Sequence, residues 1–258
     1  MTSDRDIRIA HTSRRGEWRF AFYAPGERMA PHRHDCAQFS LIMTGAQRES
    51  ANGNEVDTSA MSMALKPDGF RHAAEFAPSG ALLLSINLYD CNDDDRNLKL
   101  NKWRVRNSGG VRHEWAALAR AMDAREPDTG AIEDVTDDLI TAMLADEQEP
   151  SRETTPRWLL RAREAIIETE LGVDDIARDN GVHRVHLSRS FRRYFGLSIT
   201  EQRRRARLAR AATAIIAGRS SLAAASALSG FADQAHFTRD MRRETGMTPG
   251  ALARIFRA

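Results

Sequence analysis

The chain has 258 residues, 41% hydrophobic and 29% charged, enough for one large or two medium water-soluble domains. No apolar run reaches 18 residues and the start lacks the apolar core of a signal peptide, so no membrane span is expected and the protein is expected in the cytoplasm; two cysteines, Cys36 and Cys91, are too few for a disulfide framework. The net charge of +2 conceals an acidic residue range 1–150 and a basic range 151–258, the latter with 20 arginines, no lysine and 11 acidic residues, which suits a polyanionic partner.

Residues 17–90 carry the short apolar runs WRFAFYA, FSLIMTG, SMALKP and ALLLSINLY between Gly, Pro, Asn and Asp signals. That pattern predicts a small β-barrel or sandwich. The period then becomes helical over 111–124, with Trp115, Leu118, Ala119 and Met122 on one face, and over 131–145, with Ile132, Val135, Leu139 and Met143. These two helices either cover the barrel or form a dimer interface. The polar stretch ADEQEPSRETTPR at 145–157, with Pro150 and Pro156, marks a linker. The expected organisation is therefore α+β in two domains: 1–148, a linker at 149–157, and an all-α domain over 158–258.

The second domain reads as seven short helices, at 156–170, 173–180, 184–194, 200–216, 221–229, 233–244 and 249–256. Glycines 172, 181, 196, 218, 230 and 246 punctuate them, and Thr200 and Ser221 are expected N-caps. Within it HLSRSFRRYFGLS (186–198) and HFTRDMRRETGMT (236–248) repeat at an offset of 50, matching at His186/His236, Arg189/Arg239, Arg192/Arg242, Arg193/Arg243 and Gly196/Gly246. Each copy sits in a helix-turn-helix pattern. In the first, Val173, Ile176 and Ala177 face inward, Asn180-Gly181 turns, Val182 fills the core, and Leu187 and Phe191 form a buried i, i+4 pair. The opposite face carries Arg184, Val185, Ser188, Arg189, Arg192 and Arg193, a surface that fits the major groove, where Arg can bond a guanine edge with both ends of its fork. In the second, Leu222 and Ala225 face inward, Gly230-Phe231 turns with one more residue than the first, Phe237 and Met241 are the buried pair, and Asp233 caps. His186 and His236 either reach DNA or pack against the turn. Arg203, Arg204 and Arg205 read as a solvated helix face. The segment between the units, with Leu208, Ala212, Ile215 and Ile216 apolar, is long enough to set the reading helices roughly 34 Å apart, one DNA turn.

The strings LARAATAIIAG and GFADQAHFTRDMRRETGMTPGAL resemble the DNA-binding domain of the arabinose-operon regulator (AraC/XylS) family of transcription factors, over residues 160–258. The resemblance implies base contacts from Val185, Ser188, Arg189, Gln234, His236 and Arg239. It implies phosphate contacts from Arg192, Arg193, Thr200, Arg242 and Arg243. It also implies promoter DNA, a small-molecule effector, a homodimer and, for an activator, RNA polymerase as partners. Where the family has larger aliphatic residues, this chain has Ala225 and Ser229.

In the first domain, GERMAPHRHDCAQFSLIMTG (26–45) and PDGFRH (67–72) resemble the two cupin motifs, with Gln38 where the first motif has Glu, and Met61 and Phe76 where the second has Gly and Asn. On a strand His32, His34 and Cys36 would share one face, with His72 opposite. His32, His34, Gln38 and His72 are thus the candidate effector pocket. Three imidazoles, with Gln38 or Cys36 fourth, suit a divalent transition metal. The lost Glu and Asn favour an organic effector, or no ligand, and no cofactor. Two functions compete: an effector-controlled transcription regulator, and a metal-dependent cupin enzyme fused to a DNA-binding domain. A barrel that only dimerises is a third reading.

Overall fold

The computed structural model describes residues 7–89, 100, 102–107, 112–124, 126–145, 155–218 and 220–257. Cys91 and residues 146–154, most of the expected linker, lie outside the described residues. The chain divides into two compact units, Met1–Asp146 with Leu208–Ala258, and Glu147–Arg207.

Among the described residues the first unit is built on eight antiparallel strands: β1 (Ile7–Thr12), β2 (Gly16–Tyr23), β3 (Arg28–Arg33), β4 (Ala37–Ala51), β5 (Asn54–Ser59), β6 (Ser62–Lys66), β7 (Arg71–Leu88) and β8 (Arg104–Asn107). Their order is β1-β2-β7-β4-β6-β8, with β3 beside β7 and β5 beside β4. The four apolar runs became β2, β4, β6 and β7. The long strands β4 and β7 each serve two half-sheets. The first half of β4 pairs with β6 and the end of β7; its second half pairs with β5 and the start of β7. The change of course comes at Gly45 (φ +83°), next to shifts of register, where a Cβ would lie 2.0 Å from the Gly80 carbonyl oxygen. Only a residue without a Cβ allows that approach.

Period-2 alternation gives the sheet two unlike faces. Trp18, Phe20, Phe22, Phe39, Leu41, Met63, Leu65, Leu82, Leu84 and Ile86 form one buried cluster with Trp115, Leu118, Ile132 and Leu139 of helices α1 (Arg112–Met122) and α2 (Thr129–Leu144). The two helices therefore cover the sheet. The opposite face is apolar at one end, where Tyr23 stacks on Phe76 at 3.9 Å between ring centroids. At the other end it is polar, with Gln38, Ser40, Lys66, Ser85 and Asn87 buried.

The fully buried Trp18 donates its indole N–H to the Thr136 hydroxyl on α2 (3.0 Å). Thr136→Val keeps the shape and removes that acceptor. It is expected to lower stability by about 1–2 kcal/mol through the orphaned N–H, read as a lower urea midpoint with unchanged slope.

The second unit holds α3 (Arg157–Glu168), α4 (Val173–Asp179), α5 (Arg184–Phe195) and the start of α6 (Ile199–Ile216), around its own core of Leu159, Ala162, Ile166, Ile176, Ala177, Leu187, Phe191 and Ile199. The remaining helices, α7 (Leu222–Leu228), α8 (Gln234–Thr245) and α9 (Pro249–Arg257), belong to the first unit. Leu208, Ala212, Ile215, Phe237, Met241, Leu252 and Phe256 join the same buried cluster as the sheet and α1. Phe22 meets Phe256 edge-on at 6.4 Å, Arg254 pairs with Asp123 at 2.5 Å, and the Thr213 hydroxyl donates to the Ser79 carbonyl at 2.8 Å. The compact units thus do not coincide with the expected division at 149–157. The apolar faces of α8 and α9 find their partner in the sheet-bearing unit.

Candidate nucleic-acid interface and effector site

The two helix-turn-helix units have the expected form. Four residues separate α4 from α5 and five separate α7 from α8. In α5 the His183 ring accepts the Val185 N–H (3.3 Å), and in α8 the Asp233 carboxylate accepts the His236 N–H (2.6 Å). Both helices stop at a left-handed glycine, Gly196 (φ +71°) and Gly246 (φ +73°). Leu187 and Phe191, and likewise Phe237 and Met241, are the buried pairs. Ser221 caps α7 as expected, but α6 starts one residue earlier than expected. Its cap is Ser198, not Thr200. Ser198 and Glu201 form a reciprocal capping box, with the Ser198 N–H donating to the Glu201 carboxylate (2.8 Å) and the Glu201 N–H to the Ser198 hydroxyl (3.2 Å). The Ser198 N–H and the Ser198 hydroxyl (2.8 Å), both donating to the carboxylate, hold the Glu201 carboxyl below its ordinary pKa. Thr200 remains exposed in the first turn.

On α5, Val185, Ser188, Arg189, Arg192 and Arg193 are exposed, and His186 stacks on Trp158 (5.5 Å). On α8, Gln234, Arg239, Arg242 and Arg243 are exposed. Among the described residues Arg189, Arg192, Arg239 and Arg242 have no partner, so their guanidiniums are available to an external anion. The sequence reading missed Asp240. It is buried, and its carboxylate lies 3.5 Å from His236 Nε2 and 2.5 Å from the Arg243 guanidinium. His236 also meets Phe231 of the turn edge-on at 5.5 Å while keeping 43% of its side chain exposed. The i, i+4 and i, i+3 spacings around position 240 were the available signal. Arg203, Arg204 and Arg205 do not form a solvated face. They are half-buried, and Arg203 donates to the Leu171 carbonyl oxygen. For Arg203 the cause is local: Leu171, in the turn between α3 and α4, lies against the start of α6.

The four effector-pocket candidates come together on the polar face of the sheet. His32 and His72 are paired across β3 and β7, and His34 reaches them from the bend beyond β3. His34 and Cys36 therefore are not on one strand with His32, as alternation had suggested. A ligand nitrogen from each of His32, His34 and His72 lies within 4.8 Å of the others. His34 Nε2 and His72 Nε2 are 3.1 Å apart. His32 Nδ1 lies 3.1 Å from the Ala30 carbonyl oxygen and His34 Nδ1 3.5 Å from the Gln38 amide nitrogen, while His72 Nδ1 sits 2.7 Å from Glu49 Oε1, an ion-pair distance without hydrogen-bond alignment. Behind them Gln38 donates to Asn87 (3.2 Å), and Lys66 Nζ lies 3.3 Å from both Ser40 Oγ and Glu49 Oε1. Burial, with Lys66 and the neighbouring rings, pushes His34 down to about 3. Burial also lowers His72, against the pull of Glu49. Burial pushes the Glu49 carboxyl up, but Lys66 and His72 outweigh it and hold it below its ordinary value. Both rings are thus neutral imidazoles near pH 7. Position 61, where the motif has Gly, keeps the left-handed backbone with Met61 (φ +73°).

A model of the AraC-like ligand binding domain matches residues 16–215, and a model of a helix-turn-helix domain matches residues 176–255. The chain belongs to the AraC family of transcription regulators. This AraC-family chain carries a cupin-like ligand-binding domain and a helix-turn-helix DNA-binding domain. Among solved structures it is similar to ToxT from Vibrio cholerae, with 12% identity over 92% of this chain and 98% of that one and a TM-score of 0.37. The C-terminal domain of AraT, a response regulator from Geobacillus stearothermophilus, aligns with 40% of this chain and 88% of its own at 21% identity (TM-score 0.36). A cupin superfamily protein from Desulfitobacterium hafniense aligns with 33% of this chain and 76% of its own at 19% identity (TM-score 0.31). A search of the curated proteins finds no match.

Proposed function

We propose that this regulator binds promoter DNA as a cytoplasmic homodimer, laying α5 and α8 into the major groove. Val185, Ser188, Arg189, Gln234, His236 and Arg239 read bases. Arg192, Arg193, Thr200, Arg242 and Arg243 hold phosphates. The observation that carries the reading is the repeat made solid: two capped, glycine-stopped helices, each with a buried apolar pair and arginines exposed at matching positions. RNA polymerase is a further partner where the protein activates. Among the described residues no helix is long and apolar enough to cross a membrane.

The effector acts at His32, His34, Gln38 and His72. The route from sensor to reader is supported by packing within the first unit, where α1 lies against α8 and a Cβ at Gly246 would come 2.8 Å from Ala116 Cα. An effector with different affinity for two arrangements of that contact shifts DNA binding. We read no catalytic role; turnover of a substrate by the purified protein would restore the enzyme reading.

Genomic footprinting locates the operator, and its affinity across a salt series tests the phosphate assignments. Each lost phosphate contact should lower the slope of log affinity against log salt by about one. Arg192→Ala is therefore expected to flatten the slope by about one and to weaken all sequences alike. An unchanged slope removes Arg192 from the interface.

A further inference from the structure

The repeat gives both reading helices a histidine at the same place, and the fold uses the two rings differently. His186 stacks on Trp158, and the residue of α5 that matches Asp240 is Ser190. His236 instead stands against a carboxylate. Asp240, one turn further along α8, is buried and divides its oxygens between Arg243 (Oδ1, 2.5 Å) and His236 Nε2 (Oδ2, 3.5 Å). Resting on the reading that α8 lies in the major groove with His236 toward the bases, we propose that Asp240 is a specificity-determining residue. It fixes the His236 tautomer, so that the ring reads an adenine or a cytosine through its exocyclic amine.

An ionised carboxylate only accepts. At 3.5 Å its effect on His236 is electrostatic rather than a tight hydrogen bond, yet the sign is enough: Oδ2 attracts an N–H and repels a lone pair. The helix itself sets the contact, since residues four apart are neighbours on one face. Phe231 of the turn meets the same ring edge-on at 5.5 Å, and the Asp233 cap holds the His236 main-chain N–H. Arg243 on Oδ1 counters a charge that burial would otherwise leave uncompensated. The neutral ring therefore carries its proton on Nε2 and keeps the Nδ1 lone pair for a base edge. In the major groove adenine presents its N6 amine and cytosine its N4 amine, whereas guanine offers N7 and O6 and thymine O4, all acceptors. An Nδ1 acceptor pairs with the first two and opposes a lone pair on the others. The neighbouring candidates do not duplicate this choice: Arg189 and Arg239 are donors only, and Ser188 and Gln234 can donate or accept. His236 held by Asp240 is the reader whose role as acceptor is fixed.

The test is operator binding by the full chain at about pH 8, where an imidazole is ordinarily neutral, with all four base pairs at each operator position. The position at which His236→Ala levels the affinities is the one His236 reads. Replacing an adenine there by purine, or a cytosine by 2-pyrimidinone, deletes only the amine, and should weaken binding by the parent roughly tenfold, the effect of one hydrogen bond whose partner is left unsatisfied. Asp240→Asn keeps the size of the side chain but can donate as well as accept, so either tautomer of His236 is allowed. It should abolish the discrimination at that position and leave every other position unchanged. A carboxylate that merely held the helix together would weaken all operators alike when replaced. Arg243→Ala should keep the discrimination. Should the Asp240 variant not fold, the ring-nitrogen NMR shifts of the parent, assigned by difference with His236→Ala, read the tautomer directly. A proton on Nδ1, an amine whose deletion costs nothing, or discrimination unaltered in Asp240→Asn overturns the proposal. If His236→Ala changes no position while Arg239→Ala still relaxes one, this inference alone is lost. A chain that binds no operator loses the regulator reading on which it rests.

Discussion

Gly246→Ala should destabilise the protein by about 2–5 kcal/mol, whereas the same change at the matching Gly196 should cost about 1–2 kcal/mol. Both glycines end a reading helix in the left-handed region, at φ +73° and +71°, so both substitutions carry the same backbone strain. Their surroundings differ. A Cβ on Gly196 meets nothing within 4 Å, while one on Gly246 would lie 2.8 Å from both Cα and the carbonyl oxygen of Ala116, and main chain cannot swing aside as a side chain can. Overpacking against α1 therefore adds to the strain in the second copy alone. Urea unfolding of the two full-length variants measures the difference. Equal losses at the two sites would mean that α8 does not rest on α1. Because that contact is the proposed route from sensor to reader, Gly246→Ala should also blunt the response of operator binding to effector.

Arg239→Ala is expected to weaken operator binding by about 1–3 kcal/mol at fixed salt and to relax specificity at one base pair. Arg239 is exposed on the free side of α8 and has no partner among the described residues, so its guanidinium need not leave a carboxylate to reach a base edge. Arg243, one turn on, pairs with Asp240 at 2.5 Å, which leaves about half of its side chain exposed to meet a phosphate but not free to turn to a base edge. Arg243→Ala should therefore weaken all operators alike, without a base-specific signature. The measurement is competition against a panel of single-base operator variants. If the Arg239 variant binds its operator and the panel as the parent does, its assignment to a base is wrong. Arg189→Ala on α5 should give the same kind of loss at a different base pair.

The reader was legible because its signals are local. Leu187 and Phe191, or Phe237 and Met241, recur at helical spacing, and Gly196 and Gly246 end the run, so α3 to α9 were placed to within about two residues. The strands were harder. IRIAHT, RMAPHR, NEVDTS and RVRN became β1, β3, β5 and β8, yet their alternation is interrupted by charge and proline. β4 and β7 also continue through Gly45 and Gly80, which read as breaks and act as bends. At the histidine cluster the three rings were found by motif spacing, but Glu49 was not. It lies 11 positions beyond Gln38 and reaches His72 only because the second half of β4 pairs with the start of β7.

Sequence by itself determined the two repeated helices, their glycine stops and their outward arginines, since a period of 3.6 and a glycine stop are properties of a few neighbouring residues. Tertiary structure decided which surface each apolar face would meet: α1 and α2 cover the sheet, and α8 and α9 share its core while α5 keeps one of its own. The reason is that apolar attraction has no direction. A stripe of Phe237 and Met241 specifies that something must cover it, and only the folded shape of Trp115, Leu118 and the strands beneath them supplies the cover.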